Sequence, residues 1–155
     1  MPNMHTVYIE APVEKVFEFF KDPRNQFAMA PDRRIKLTDV KMTEEGQGTY
    51  YSYAMKLAGL TREGFVVYTE FLPNKLIVDR SSVAMHGSWT YRFEPEGTGT
   101  RLTMHGGQSR SFWRVWPFSF VLDRVMARRH DYWLKKLTET LESAGVNPPA
   151  AARPR

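Results

Sequence analysis

The sequence predicts an α+β fold, a seven-stranded antiparallel sheet in the order β-α-α-β-β-β-β-β-β-α covered by one long C-terminal helix. Three observations predict it. From Arg34 to Gly107 the hydrophobic period is two, and short runs are punctuated by Gly- and Pro-bearing turns, as in successive hairpins. From Pro117 to Gly145 there are about 28 residues without an internal Gly or Pro, a rod of roughly 42 Å at 1.5 Å per residue. Finally, six strands joined by tight turns cannot hide an apolar face alone. They need a cover about as long as the sheet, and the terminal helix is the only segment of that length.

The elements follow in order. His5–Glu10 is a short strand in which Val7 and Ile9 alternate against Thr6 and Tyr8. Pro12 opens a helix whose Val13, Val16, Phe17 and Phe20 make an i, i+3, i+4, i+7 stripe. Pro23 and Pro31 bracket a second, shorter helix. The strands then run Arg34–Thr43, Thr49–Leu57, Phe65–Leu72, Lys75–Val83, His86–Phe93 and Arg101–Gly107. Between them the turns fall at Glu45–Gly48, Gly59–Gly64, Pro73-Asn74 and Glu96–Gly99. On the terminal helix Phe118, Val121, Leu122, Val125, Met126, Trp133, Leu137, Leu141 and Ala144 share one face, with Arg124, Arg128, Asp131, Lys135, Thr138, Glu139 and Glu142 opposite.

Composition bounds the function. The 155 residues suit one domain, spanning 1–145, and the Pro/Ala-rich stretch 146–155 is expected not to fold. Ten Phe, seven Tyr, four Trp and eight Met suggest an interior of large, adaptable side chains. The absence of Cys excludes disulfides, thiolate metal sites and thiol catalysis. There is no signal-peptide-like run and nothing near the ~18 consecutive apolar residues of a membrane span, so a cytoplasmic protein is expected. The net charge of +5 is spread among acids, with Arg153 and Arg155 in the tail, and no nucleic-acid partner is expected.

The phrase VYIEAPVEKVFEFFKDPRN, the meander with EFLPNKLIV at its middle, and the long C-terminal helix together resemble the START-related superfamily. That group, also called SRPBCC, takes in polyketide cyclase/dehydrase-like proteins, coenzyme Q-binding proteins and plant pathogenesis-related allergens. The resemblance covers about Met4 to Ser143. It implies a helix-grip fold, a curved sheet wrapped around the C-terminal helix with a cavity between them, in which many members hold lipids, sterols or polyketides. One departure concerns the pocket mouth. Related sequences often carry a Trp-Met-Pro-like phrase after the second helix, where this chain has Phe27-Ala28-Met29-Ala30-Pro31.

In such a fold the covered sheet face is the pocket wall. Alternation assigns to it Tyr51, Tyr53, Met55, Phe65, Val67, Trp89, Tyr91, Leu102 and Met104, an apolar wall with phenol hydroxyls as polar handles. The other reading of the same residues is a filled core. From the helix, Met126 and Trp133 face this wall, and Arg129 falls near the centre of the apolar stripe. A guanidinium there needs an anionic or hydrogen-bonding partner, either Asp79 on the fifth strand or a ligand carboxylate or carbonyl, unless it snorkels out at the sheet edge. No pair of histidines has ligand spacing, so no metal is expected, and no cofactor is called for. No nucleophile elbow or phosphate loop is present. Residues 110–120, with five aromatics, Arg110 and Arg114, read as a cap on the pocket mouth or as a transient contact with a membrane surface.

Three functions therefore stand. The first is binding or transport of a small hydrophobic molecule between sheet and helix. The second is a polyketide cyclase/dehydratase-type enzyme using the same cavity. The third is a protein-interaction module whose cavity has collapsed.

Overall fold

Alternating strands and tight turns build one continuous meander. The computed structural model describes residues 3–29, 35–57, 60–82, 87–108 and 132–143. Its strands are β1 (Asn3–Ile9), β2 (Ile35–Lys41), β3 (Tyr50–Leu57), β4 (Leu60–Leu72), β5 (Leu76–Ser81), β6 (Gly87–Glu96) and β7 (Gly99–Gln108). They form one seven-stranded antiparallel sheet in the order β1-β7-β6-β5-β4-β3-β2. The β4–β5 turn is made by Asn74 at φ 59°, the left-handed conformation that Asn tolerates better than most residues. Register shifts at Leu37/Asp39 and Tyr68/Glu70 mark two bulges, which bend their strands and curve the sheet.

The chain leaves β1 at one edge and re-enters the sheet as β2 at the other. Two helices make the crossing: α1 (Val13–Lys21), which lies over β6 and β7, and α2 (Pro23–Ala28), which lies against β2. Val13, Val16, Phe17 and Phe20 are the buried face of α1, as their spacing predicts. Pro12 stands just outside that helix as its N-cap, at φ −56° and ψ 147°. Asp22 caps α2, its Oδ1 accepting the Arg24 N–H at 2.9 Å, and Pro23 fills the first helical position, where no donor is needed.

Residues 132–143 are helical (α3). Leu137 and Leu141 are buried, Trp133 and Leu134 pack against the core, and Lys135, Lys136, Glu139 and Glu142 are exposed. The part of the terminal helix predicted before Tyr132, with Met126 and Arg129, lies outside the described residues. Glu142 ties α3 to the end of β1 by accepting the Glu10 N–H at 3.3 Å.

The core between the sheet and these helices is aromatic. Phe17 meets Phe71 and Phe93 edge-on at 5.1 and 5.2 Å, and Phe20 meets Phe93, Tyr91 and Trp133 at 5.5, 5.5 and 6.0 Å. Edge-to-face contacts of this kind add to the area term for each ring.

One strand is phased differently from the sequence expectation. Phe65 is 44% exposed and tilts against Tyr50 on the outer face, and Val67, paired with Tyr50, shares that face. Val66 and Tyr68 face the core instead. The reason is the bulge at Thr69. Counting from the β4–β5 turn, Leu72 pairs with Leu76 and Glu70 with Val78, but Tyr68, not Thr69, pairs with Asp79. One extra residue inverts the parity of the strand before it.

Candidate functional site

Among the described residues the covered face buries a single charged side chain. Phe93, Leu102, Met104 and Ile77 are buried there, and beside them lie Asp79 and four tyrosines, Tyr51, Tyr53, Tyr68 and Tyr91. The register explains the gathering. Tyr51 pairs with Val66 and Tyr68 with Asp79, while Tyr91 pairs with Ile77, one inward position along from Asp79. Three adjacent hairpins thus bring their phenols to one carboxyl.

Asp79 is 4% exposed. Its Oδ1 accepts the Trp89 backbone N–H at 3.3 Å, and its carboxyl also accepts a hydrogen bond from the Tyr91 hydroxyl. Ser88 donates its hydroxyl to the Asp79 carbonyl at 2.8 Å, which holds the backbone of the pair together. Among the described residues no Lys or Arg forms a salt bridge with it. Burial therefore dominates. It pushes the carboxyl up to about 7, against the lowering effect of the two hydrogen bonds. Burial likewise raises the Tyr51, Tyr68 and Tyr91 hydroxyls, and the charge of Asp79 raises all three further. These phenols stay neutral donors at any physiological pH.

The remaining hydroxyls are anchored to the frame. Tyr53 lies within 3.3 Å of Ser81 Oγ. Tyr68 donates to the Phe20 carbonyl at 3.4 Å, which also accepts from Gln26 Nε2 at 2.9 Å. Tyr51 carries Phe27 of α2 edge-on at 5.5 Å, so the phrase that departs from related sequences packs directly on this cluster.

The sequence-predicted wall is partly assembled here. Tyr51, Tyr53, Asp79, Tyr91, Leu102 and Met104 share the covered face, Trp89 lies over Gly106 on it, and Trp133 approaches from α3. Tyr91, Trp89 and Trp133 keep some solvent exposure while Tyr68 keeps only 1%. Phe65 and Val67 stand on the other side of the sheet. Met55 holds a place in β3 opposite Arg62, but its side chain, like all of Met126 and Arg129, lies outside the described residues. Tyr68 and Ser81 were missed. The phase fixed by Tyr51 and Tyr53 on the neighbouring strand is the signal that could have found Tyr68. Among the described residues no three His, Asp or Glu gather as metal ligands would, and no helix is long and apolar enough to cross a membrane.

A family model described as "Polyketide cyclase / dehydrase and lipid transport" matches residues 4–142. The chain belongs to this family. Solved structures share the fold of this chain at low identity. The CV1439 protein of Chromobacterium violaceum is 17% identical, with a TM-score of 0.69 over 92% of this chain and 98% of that one. The TTHA0849 protein of Thermus thermophilus is 16% identical, with a TM-score of 0.64 over 93% and 99%. Ara h 8.0201, a Bet v 1-like allergen, is 11% identical, with a TM-score of 0.61 over 92% and 98%. The fold is therefore helix-grip, as the resemblance implied. No curated protein matches the chain.

Proposed function

We propose that this protein binds and carries a small hydrophobic molecule, of the lipid, polyketide or quinone kind, between the covered sheet face and the C-terminal helix. The observation that carries the reading is the Asp79–Tyr91 pair with Tyr51 and Tyr53 beside it, a polar end set in an otherwise apolar wall. Such a wall with a few convergent polar groups is the usual make-up of a small-molecule site. The partial exposure of Trp89, Tyr91 and Trp133 supports an approach to it, and the family's association with lipid transport supports the ligand class. Met104 belongs to the apolar wall in this reading, as do Met55 and Met126, with Arg129 of the same helix as a further ligand-binding residue. Residues 110–120, which lie outside the described residues, are proposed as the cap of the mouth or a transient membrane-surface contact.

Native mass spectrometry of the full chain purified from cells, with a thermal-shift screen of a lipid extract, tests this. A retained apolar mass that a matching lipid class restores, with a raised Tm, is the expected result. No retained mass and no shift from any fraction would overturn it.

A second reading is favoured by one observation. A carboxyl pushed up to about 7 and hydrogen-bonded to a phenol is poised for proton transfer near neutral pH, as a cyclase or dehydratase would need. In that case Asp79→Asn abolishes turnover of the identified ligand while the ligand mass is still retained. A carrier leaves the ligand chemically unchanged in both proteins.

A further inference from the structure

Resting on that reading, we infer that the polar end of the ligand is a protonated amine or similar organic cation, seated against the Asp79 carboxyl among the Tyr51, Tyr68 and Tyr91 rings. Three features of the cluster point the same way. The carboxyl is 4% exposed, and it is approached by a backbone N–H and a phenol O–H. Among the described residues it forms no salt bridge with Lys or Arg. A buried carboxyl so placed is held high by desolvation, and an arriving cation is the partner that removes this penalty. Three buried phenols lie close enough to feel its charge, and a setting that excludes water in this way strengthens the pairing of a cation with the carboxylate. Among the described residues, an anionic ligand would meet the opposite situation, a second negative charge beside Asp79 and neutral donors in the Trp89 N–H and the Tyr91 hydroxyl.

The test uses three probes with one chain length: decylammonium, decanol and decanoate, each titrated by calorimetry into the full-length protein at pH 8. The ammonium stays protonated there, as a lysine does, and Asp79 is ionised. Decylammonium should bind at least ten-fold tighter than decanol, and decanoate weaker than decanol. This preference would run against the protein's net charge of +5, which by itself favours the anion. In Asp79→Asn the amine-over-alcohol ratio should fall towards one, and circular dichroism would establish that the variant is folded.

The wild-type ranking decides the matter even if that variant fails to fold. Equal binding of decylammonium and decanol would overturn the inference and leave the hydrophobic-ligand reading standing. So would a preference for decanoate, which would fit a guanidinium such as Arg129 at the polar end. Binding of none of the three would count against both.

Discussion

Tyr53 and Gly64 stand directly opposite one another on β3 and β4, and the phenol lies so close over the glycine that a Cβ built there would sit 2.6 Å from Tyr53 Cζ. The ring crosses β4 at this point and reaches Ser81 on β5 at 3.3 Å. Gly64 therefore serves as a passage for Tyr53. In Gly64→Ala the methyl group would displace the ring from its hydrogen-bond partner, with a cost of roughly 1–3 kcal/mol, as for other overpacked sites. Urea unfolding measures it. Because the clash needs both partners, the Tyr53→Ala/Gly64→Ala double variant should be more stable than the sum of the single costs implies. Strict additivity would show that the two do not compete for this space.

Asp79 predicts how stability follows pH. Its folded value of about 7 lies above the ordinary carboxyl value of 3.8, so over that interval the folded protein holds a proton that the unfolded chain has released. The stabilising contribution is whole below about 3.8 and is lost as pH rises through about 7. The full interval corresponds to roughly 4 kcal/mol. Asp79→Asn cannot titrate, so the decline in stability between pH 4 and pH 8 should flatten in the variant. The variant should also outlast the parent protein at pH 8. Chemical denaturation at a series of pH values reads this directly, and parallel curves for the two proteins would refute it.

How much of this was legible in the sequence depended on the physical signal each feature leaves. Strands and turns announce themselves through period-two alternation and residues such as Asn74 that adopt left-handed backbone. The α1 stripe and the need for a long helical cover follow from spacing and length alone. The bulge at Thr69 left no such mark, since Phe65-Val66-Val67 is apolar throughout and supports either phase. Gly64 misled for a related reason. Read as part of a turn, it is instead mid-strand, kept small by a ring on the neighbouring strand, and so β4 starts at Leu60, not Phe65. The candidate site was readable as a list of inward tyrosines. That list lacked Tyr68, and no list can give the convergence of Tyr51, Tyr68 and Tyr91 on Asp79, because it depends on the register across β3, β4, β5 and β6.

The joint between the two short helices rests on Asp22, which accepts from the Arg24 N–H at 2.9 Å and from Arg24 Nη1 at 3.2 Å. Asp22→Ala should cost about 1 kcal/mol, the usual value for a lost N-cap. Asp22→Asn should keep most of that, because Asn caps nearly as well. Thermal melts of the two variants separate capping from charge. Equal losses would assign the effect to the carboxylate's charge and not to the cap.

Phe20 predicts the largest single loss. It is fully buried, and it is the ring through which α1, β6 and α3 meet, touching Tyr91 and Phe93 on the sheet and Trp133 on the helix. Its backbone carbonyl also accepts from Gln26 and Tyr68, but those bonds survive truncation of the side chain. What Phe20→Ala removes is therefore packing: a ring volume that three separate elements would have to collapse into. Rigid sheet neighbours on one side limit that collapse, which places the cost at about 3–5 kcal/mol. Phe20→Leu refills most of the space and should recover more than half of it. Phe19 lies next to it in sequence but is only half-buried, so Phe19→Ala should cost clearly less. Urea unfolding of the three variants gives the ranking. The near-ultraviolet dichroism of Phe20→Ala should also change, because Trp133 and Tyr91 lose the ring that orients them. A Phe20→Ala cost no greater than that of Phe19→Ala would mean that α1 does not hold the helix to the sheet at this point.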